Sequence, residues 1–169
     1  FIEIFHQRSG RMDHIKEGTR LVWRREIKAE HVRAYADVTG DENPLHFDAE
    51  FAAAAPKLGG ALIVHGGITA GALNALVARR IGAGTVFMSQ ELNYTAPARV
   101  GDVLEATGTV TWRHATKPVA KLDVAVVAVR GAGDDAQRVD VLSGKCTIYR
   151  AVPDGYDQAH GVPPPTAVD

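Results

Sequence analysis

The sequence predicts an α+β domain in which an antiparallel β-meander covers one long buried helix. Three observations lead there. From Gly67 to about Ile81 the chain is apolar nearly all the way round a helical wheel, with Ile68, Ala70, Ala72, Leu73, Ala75, Leu76, Val77 and Ala78 interrupted only by Thr69 and Asn74. A helix apolar on every side is a buried one. Everything after it reads as strand: Phe87–Tyr94, Val103–Trp112, Leu122–Val129 and Val139–Tyr149 are rich in β-formers. The turn signals between these runs (Pro97, Gly101-Asp102, Lys117-Pro118 and the 131–135 Gly/Asp cluster) are too short for crossover helices, so the strands are antiparallel.

Taken in order, residues 1–20 form an N-terminal extension set aside from the functional argument. Met12 is a candidate start, with the residues before it either a cloning remnant or an extra strand. Leu21–Ile27 reads as a first strand ending in charge. Ala29–Val38 carries Val32, Tyr35 and Ala36 at helical spacing, and Thr39-Gly40 suits the left-handed closure of a helix. Asp48 is a candidate N-cap for a short helix over 49–55, stopped by Pro56. The apolar run Ala61–Val64 delivers His65-Gly66-Gly67 to the start of the long helix, and Gly82 and Gly84 end it. In the last run Leu142, Cys146 and Ile148 alternate with Ser143, Lys145, Thr147 and Tyr149, one face in and one out. The domain is expected over 21–150, followed by an irregular Pro-rich tail over 151–169.

Composition bounds the function. With 169 residues, 46% hydrophobic and 23% charged, the chain has the balance of an ordinary globular protein with one sizeable core. A net charge of −1 without a basic run gives no reason to expect nucleic acid or an anionic membrane as partner. The single cysteine, Cys146, allows no internal disulfide, fits a reducing compartment, and reads as a small core residue. No apolar run approaches the ~20 residues of a membrane span, and no signal-peptide layout opens the chain. A cytoplasmic protein is therefore expected. The seven histidines show no metal-ligand spacing, and no metal is expected.

The chemistry concentrates in Tyr35-Ala36-Asp37-Val38-Thr39-Gly40-Asp41-Glu42-Asn43-Pro44-Leu45-His46. Pro44 holds Asn43 extended, so Asp41 and His46 lie on a tight turn that can aim both side chains into one space. Such a pair can hold and deprotonate a water, since imidazole titrates near neutrality and a carboxylate can orient it or share its proton. Asn43 can steady the turn through its amide or reach a substrate.

At these residues the chain resembles the MaoC-like (R)-specific enoyl-CoA hydratases and dehydratases of the hot-dog fold. Their signature is an aromatic, an apolar and a small residue, then Gly-Asp-x-Asn-Pro-apolar-His, and a small residue six beyond the His. Tyr35, Val38, Thr39, Gly40, Asp41, Asn43, Pro44, Leu45, His46 and Ala52 fill those slots. The resemblance spans about Leu21–Tyr149. It implies a curved antiparallel sheet wrapped around a long central helix, and a hydro-lyase adding water to, or removing it from, a trans-2-enoyl thioester of CoA or a carrier protein.

It further implies Asp41 and His46 as the catalytic pair, no cofactor beyond the thioester itself, and a homodimer or an assembly of dimers. The backbone N–H of Gly66 is implicated in gripping the thioester oxygen, a role that a glycine at the start of a buried helix suits, because free N–H groups and the helix dipole favour negative charge there. His65 stands where the family has a supporting histidine. Asn74 aligns where some members carry an active-site serine; as a polar residue in an apolar helix it is expected to be buried, bonding the catalytic loop or lining the acyl pocket. Two other readings stay open: a hot-dog acyl-CoA thioesterase, disfavoured because 67–81 holds no carboxylate, and a partner-dependent subunit of a heterodimeric dehydratase.

Overall fold

A computed structural model describes residue 12 and residues 14–152. The expected tail from residue 153 on, and residues 1–11 with the extra strand weighed for them, therefore lie outside the described residues. Strand β1 is Arg20–Glu26, followed by helices α1 (Ala29–Thr39), α2 (Ala49–Ala53) and α3 (Gly66–Arg80). Strands β2 (Thr85–Tyr94), β3 (Val103–Arg113), β4 (Val119–Arg130) and β5 (Gln137–Arg150) follow among the described residues. Each element falls within a few residues of its expected position. Gly40 closes α1 at φ 75°, and the Asp48 carboxylate caps α2 by accepting from the N–H groups of Glu50 and Phe51.

The strands form one antiparallel five-stranded sheet in the order β1-β3-β4-β5-β2. This corrects the simple meander. Only β3, β4 and β5 follow one another; β2 joins the outer side of β5, and residues 95–102 carry the chain across to β3. The helix is the reason. Lying across the sheet and touching all five strands, α3 delivers the chain to the edge opposite β1. Sheet closure then needs a crossing connection that turn signals alone do not reveal.

One face of the sheet is the core. Leu104, Ala106 and Val110 of β3, Leu122, Val124, Val126 and Ala128 of β4, and Leu142, Cys146 and Ile148 of β5 pack with Leu73, Leu76 and Val77 of α3. At Gly108 the helix comes so close that a side chain would meet Leu76 and Leu122 at 3.1 Å. The core reaches further toward the N-terminus than Leu21, because Met12 and Ile15 are both 1% exposed within it.

The all-round burial expected of α3 does not hold in the single chain. Thr69, Ala72, Leu73, Leu76 and Val77 are buried, whereas Gly66, Asn74 and Ala78 are exposed. Asn74 is thus corrected from a buried to an exposed residue, with no side-chain hydrogen bond among the described residues. The sheet wraps only part of the helix, and an apolar wheel cannot show which part.

Candidate active site

The turn after α1 is tied down by its own side chains. The Thr39 hydroxyl donates to the main-chain oxygen of Tyr35, and the N–H of Asp41 returns to that hydroxyl. Asp41 Oδ1 accepts the N–H of Asn43, and Asn43 Oδ1 accepts the N–H of Leu45, 3.1 Å away, to start the 3-10 turn Pro44–His46. Of the roles open to Asn43, the structure places it in the Asx-type one, its amide oxygen spent on the loop. Arg33 fastens this loop to α1: its guanidinium pairs with Asp37 and Glu42 and lies 4.8 Å from the Phe47 ring centre.

These bonds leave specific atoms facing each other. His46 Nδ1 is 2.8 Å from the main-chain oxygen of Ile63. A carbonyl only accepts, so Nδ1 carries the hydrogen and Nε2 keeps its lone pair. That nitrogen lies 3.8 Å from Asp41 Oδ2, with the His46 side chain 8% and the Asp41 side chain 48% exposed. The gap is too long for a direct hydrogen bond and short enough for one water to touch both atoms at ordinary distances.

His65, 1% exposed, closes the site from below. Its Nε2 donates to the main-chain oxygen of Asp41 at 2.9 Å, and its ring centre is 3.7 Å from that of His46. Ligand atoms of Asp41, His46 and His65 come within 4.8 Å of one another, a grouping able to hold a metal ion. The hydrogen-bonding pattern fits a metal poorly, since His65 Nε2 and His46 Nδ1 are already spent on carbonyls. Of the atoms still free, His65 Nδ1 is buried without a partner, while His46 Nε2 and Asp41 Oδ2 face each other as a pair that suits a water.

Gly66 opens α3 beside this pair, and the first N–H groups of a helix have no acceptor within it. A side chain at Gly66 would come within 3.2 Å of the Tyr94 ring, a tight contact that the ring would have to yield to. A groove of about 280 Å³ runs from Gly66 between Leu58, Ile63, Val64, Thr69, Tyr94 and Ala98, with Lys57 at its rim. Two larger grooves, on the outer face of the sheet and along β1, contain none of these residues.

Asp41, His46, Asn43 and Gly66 are therefore brought together, while Asn74 stands two turns further along α3 on its exposed side. Sequence reasoning missed the Ile63 carbonyl, which carries no side-chain signal, and Tyr94, a strand residue 56% exposed. It also passed over Gly67, whose signal was the doubled glycine: a side chain there would overlap the Tyr35 hydroxyl. Cys146 is buried in the core, and burial pushes its thiol up to about 11, away from nucleophilic use.

Residues 12–130 match the model of the MaoC like domain. The chain belongs to this MaoC-like family. A 3-hydroxybutyryl-CoA dehydratase of Methylorubrum extorquens is 39% identical over 94 residues, 55% of this chain and 59% of that protein. The match thus spans under two thirds of that relative's length. An (R)-specific enoyl-CoA hydratase of Aeromonas caviae is 34% identical over 105 residues, 62% of this chain and 77% of its own. Among solved structures, the (R)-hydratase from A. caviae involved in PHA biosynthesis superposes with a TM-score of 0.69 at 27% identity, covering 83% of this chain and 99% of that one. The sheet and central helix described above are the hot-dog fold of these MaoC-like proteins. No described helix is long and apolar enough to cross a membrane.

Proposed function

We propose that the protein is an (R)-specific enoyl-thioester hydratase, working in reverse as a 3-hydroxyacyl-thioester dehydratase. The observation that carries this reading is the facing pair His46 Nε2 and Asp41 Oδ2, 3.8 Å apart, with the His46 tautomer fixed by Ile63. A water held between them loses a proton to the pair as its oxygen bonds to the β carbon of the enoyl group. The electrons of the double bond move to the thioester oxygen, where the Gly66 N–H and the positive end of α3 meet the developing charge. The proton held by the pair then goes to the α carbon, so no other reactant and no cofactor beyond the thioester enters the balance. The apolar groove beside Gly66 suits an acyl chain. Asn43 supports the site through the loop, and Asn74 faces the substrate from the exposed side of α3.

The relatives' names support a CoA or carrier-protein thioester as substrate. The assembly proposed is a homodimer or a dimer of dimers in the cytoplasm, with no nucleic-acid or membrane partner. No carboxylate lies on α3, which leaves the thioesterase reading without its usual group.

The test is loss of enoyl absorbance with crotonyl-CoA and longer enoyl-CoA substrates, with product configuration read by (R)- and (S)-specific 3-hydroxyacyl-CoA dehydrogenases. Asp41→Asn and His46→Gln are each expected to lower kcat by about 100- to 10,000-fold. The double variant is expected to be little worse than either single one, because both act on one water. Near wild-type hydration by Asp41→Asn overturns the assignment; release of free CoA in its place favours the thioesterase.

A further inference from the structure

A thioester seated at Gly66 sends two chains away from its carbonyl, the acyl chain and the arm of its carrier. The groove beside Gly66 has unlike parts to meet them. Val64, Thr69 and Ala98 are buried walls, whereas the 3-10 turn Pro56–Leu58 brings the exposed Lys57 to the rim. At that end Arg99, next in the chain after Ala98, spans the two sides. Its Nη2 donates to the main-chain oxygen of Gly59, 3.1 Å away. Gly59 has a φ of 85°, and a side chain there would overlap the Arg99 guanidinium.

These two cations have no anion between them. Among the described residues Lys57 makes no ion pair, and the Arg99 side chain makes only the bond to Gly59. Arg99 Nε is buried without an acceptor. The nearby carboxylate of Asp102 does not relieve it, being spent on the Arg99 main-chain N–H and on the Arg130 guanidinium. A guanidinium carries several donors, and those left unmet are costly once desolvated. Tyr94, whose ring lies against Gly66, begins the wall that ends at Arg99. That stretch spans at most about 17 Å. A pantetheine arm runs about thirteen bonds from sulfur to phosphate, or about 15 Å when extended.

We propose that Lys57 and Arg99 grip the phosphate of a phosphopantetheine arm, the group that CoA and a carrier protein have in common. The proposal rests on the hydratase reading and deepens it by naming where the carrier is held. Arg99 presents to the phosphate oxygens the N–H groups that Gly59 leaves open, and Lys57 adds a mobile charge from the rim. The acyl chain keeps to the apolar walls while the arm leaves over Lys57. Because the grip lies away from the reacting atoms, it holds ground state and transition state alike and acts through KM.

The test crosses protein variants with thioesters that carry or lack the phosphate. With crotonyl-CoA, Arg99→Gln is expected to raise KM by about 10- to 100-fold while kcat stays within about threefold. Lys57→Gln, which removes an exposed charge, is expected to raise KM about threefold. Crotonyl-pantetheine, which ends in a hydroxyl, is expected to show the high KM already in the natural protein, with less than about twofold added by Arg99→Gln. Crotonyl-phosphopantetheine and a crotonyl carrier protein are expected to show the same Arg99 penalty as crotonyl-CoA, and the carrier with the lower KM is the natural one. If Arg99→Gln raises KM equally with and without the phosphate, Arg99 is only a brace between the groove walls and the proposal fails. A penalty confined to crotonyl-CoA moves the grip to the nucleotide phosphates and also overturns it. Calorimetry with butyryl-CoA and butyryl-pantetheine reads the same difference without turnover. A natural protein that hydrates no enoyl-CoA, yet prefers butyryl-CoA to butyryl-pantetheine in a way that Arg99→Gln abolishes, overturns the proposed function and leaves the phosphate grip standing.

Discussion

Asp41 and His46 each divide their atoms between holding the loop and facing the cleft. Asp41 Oδ1 accepts a loop N–H while Oδ2 faces His46; His46 Nδ1 donates to Ile63 while Nε2 faces Oδ2. This division is why the pair is pre-organised: each side chain is oriented by a bond that does not consume its reactive atom. Asn74 stands in contrast, exposed and without a side-chain partner among the described residues. Asn74→Ala is therefore expected to change unfolding free energy by less than about 1 kcal/mol, in the stabilising direction, since alanine is the better helix former. Its catalytic effect is expected in KM and chain-length preference, with crotonyl-, hexenoyl- and octenoyl-CoA as the panel. A loss of stability well beyond 1 kcal/mol would mean that the residue is buried after all, against a partner chain.

Among the elements, the outer face of the sheet is clamped by one glutamate. Glu105 on β3 is 5% exposed and pairs with Arg24 of β1 at 2.7 Å and Arg138 of β5 at 2.8 Å. Burial alone would push its carboxyl up; the hydrogen bonds from Arg138 and Arg24 outweigh it and hold the carboxyl below the ordinary glutamate value. A carboxyl depressed in the folded state contributes stability above the unfolded value of about 4.3, and that contribution is lost as pH falls through the folded value. Glu105→Gln is expected to cost about 1–3 kcal/mol in urea unfolding at pH 7. The gap between the two proteins is expected to narrow below pH 4, where the natural glutamate also takes up its proton. A gap independent of pH would show that the side chain's packing, and not its charge, holds the strands.

For the whole molecule, the two sheet edges are unlike. On β1, Arg80 Nε donates to the Val22 carbonyl at 2.6 Å, and Arg24 and Arg25 flank the same edge, a common defence against strand addition. The β2 edge is ten residues long and exposes Val86 at 51% and Met88 at 53%. An exposed long edge with apolar side chains is a hazard that proteins pair or cover, and the proposed homodimer through β2 would cover it together with the exposed side of α3. In the proposed dimer, Met88→Lys is expected to give the mass of a monomer in light scattering at micromolar concentration, and to lower activity with it. A natural protein that is monomeric and fully active would sink this assembly.

The residue pattern by itself determined the elements and the turn that carries the proposed acid–base pair. Gly40 could end α1, Asp48 could cap α2, and Gly-Asp-x-Asn-Pro-Leu-His could form only a short, constrained turn, because these are local conformational and hydrogen-bonding preferences. Alternation in β5 and the apolar run of α3 marked the core for the same reason. What the tertiary structure decided was everything that depends on partners distant in the chain. The place of β2 beside β5, the Ile63 carbonyl that selects the His46 tautomer, the Tyr35–Gly67 contact and the exposure of Asn74 all arise where segments far apart in sequence meet. A helical wheel or a strand pattern records which residues avoid water. It does not record which neighbour removes them from it, and at this site the neighbours set the geometry of the reacting atoms.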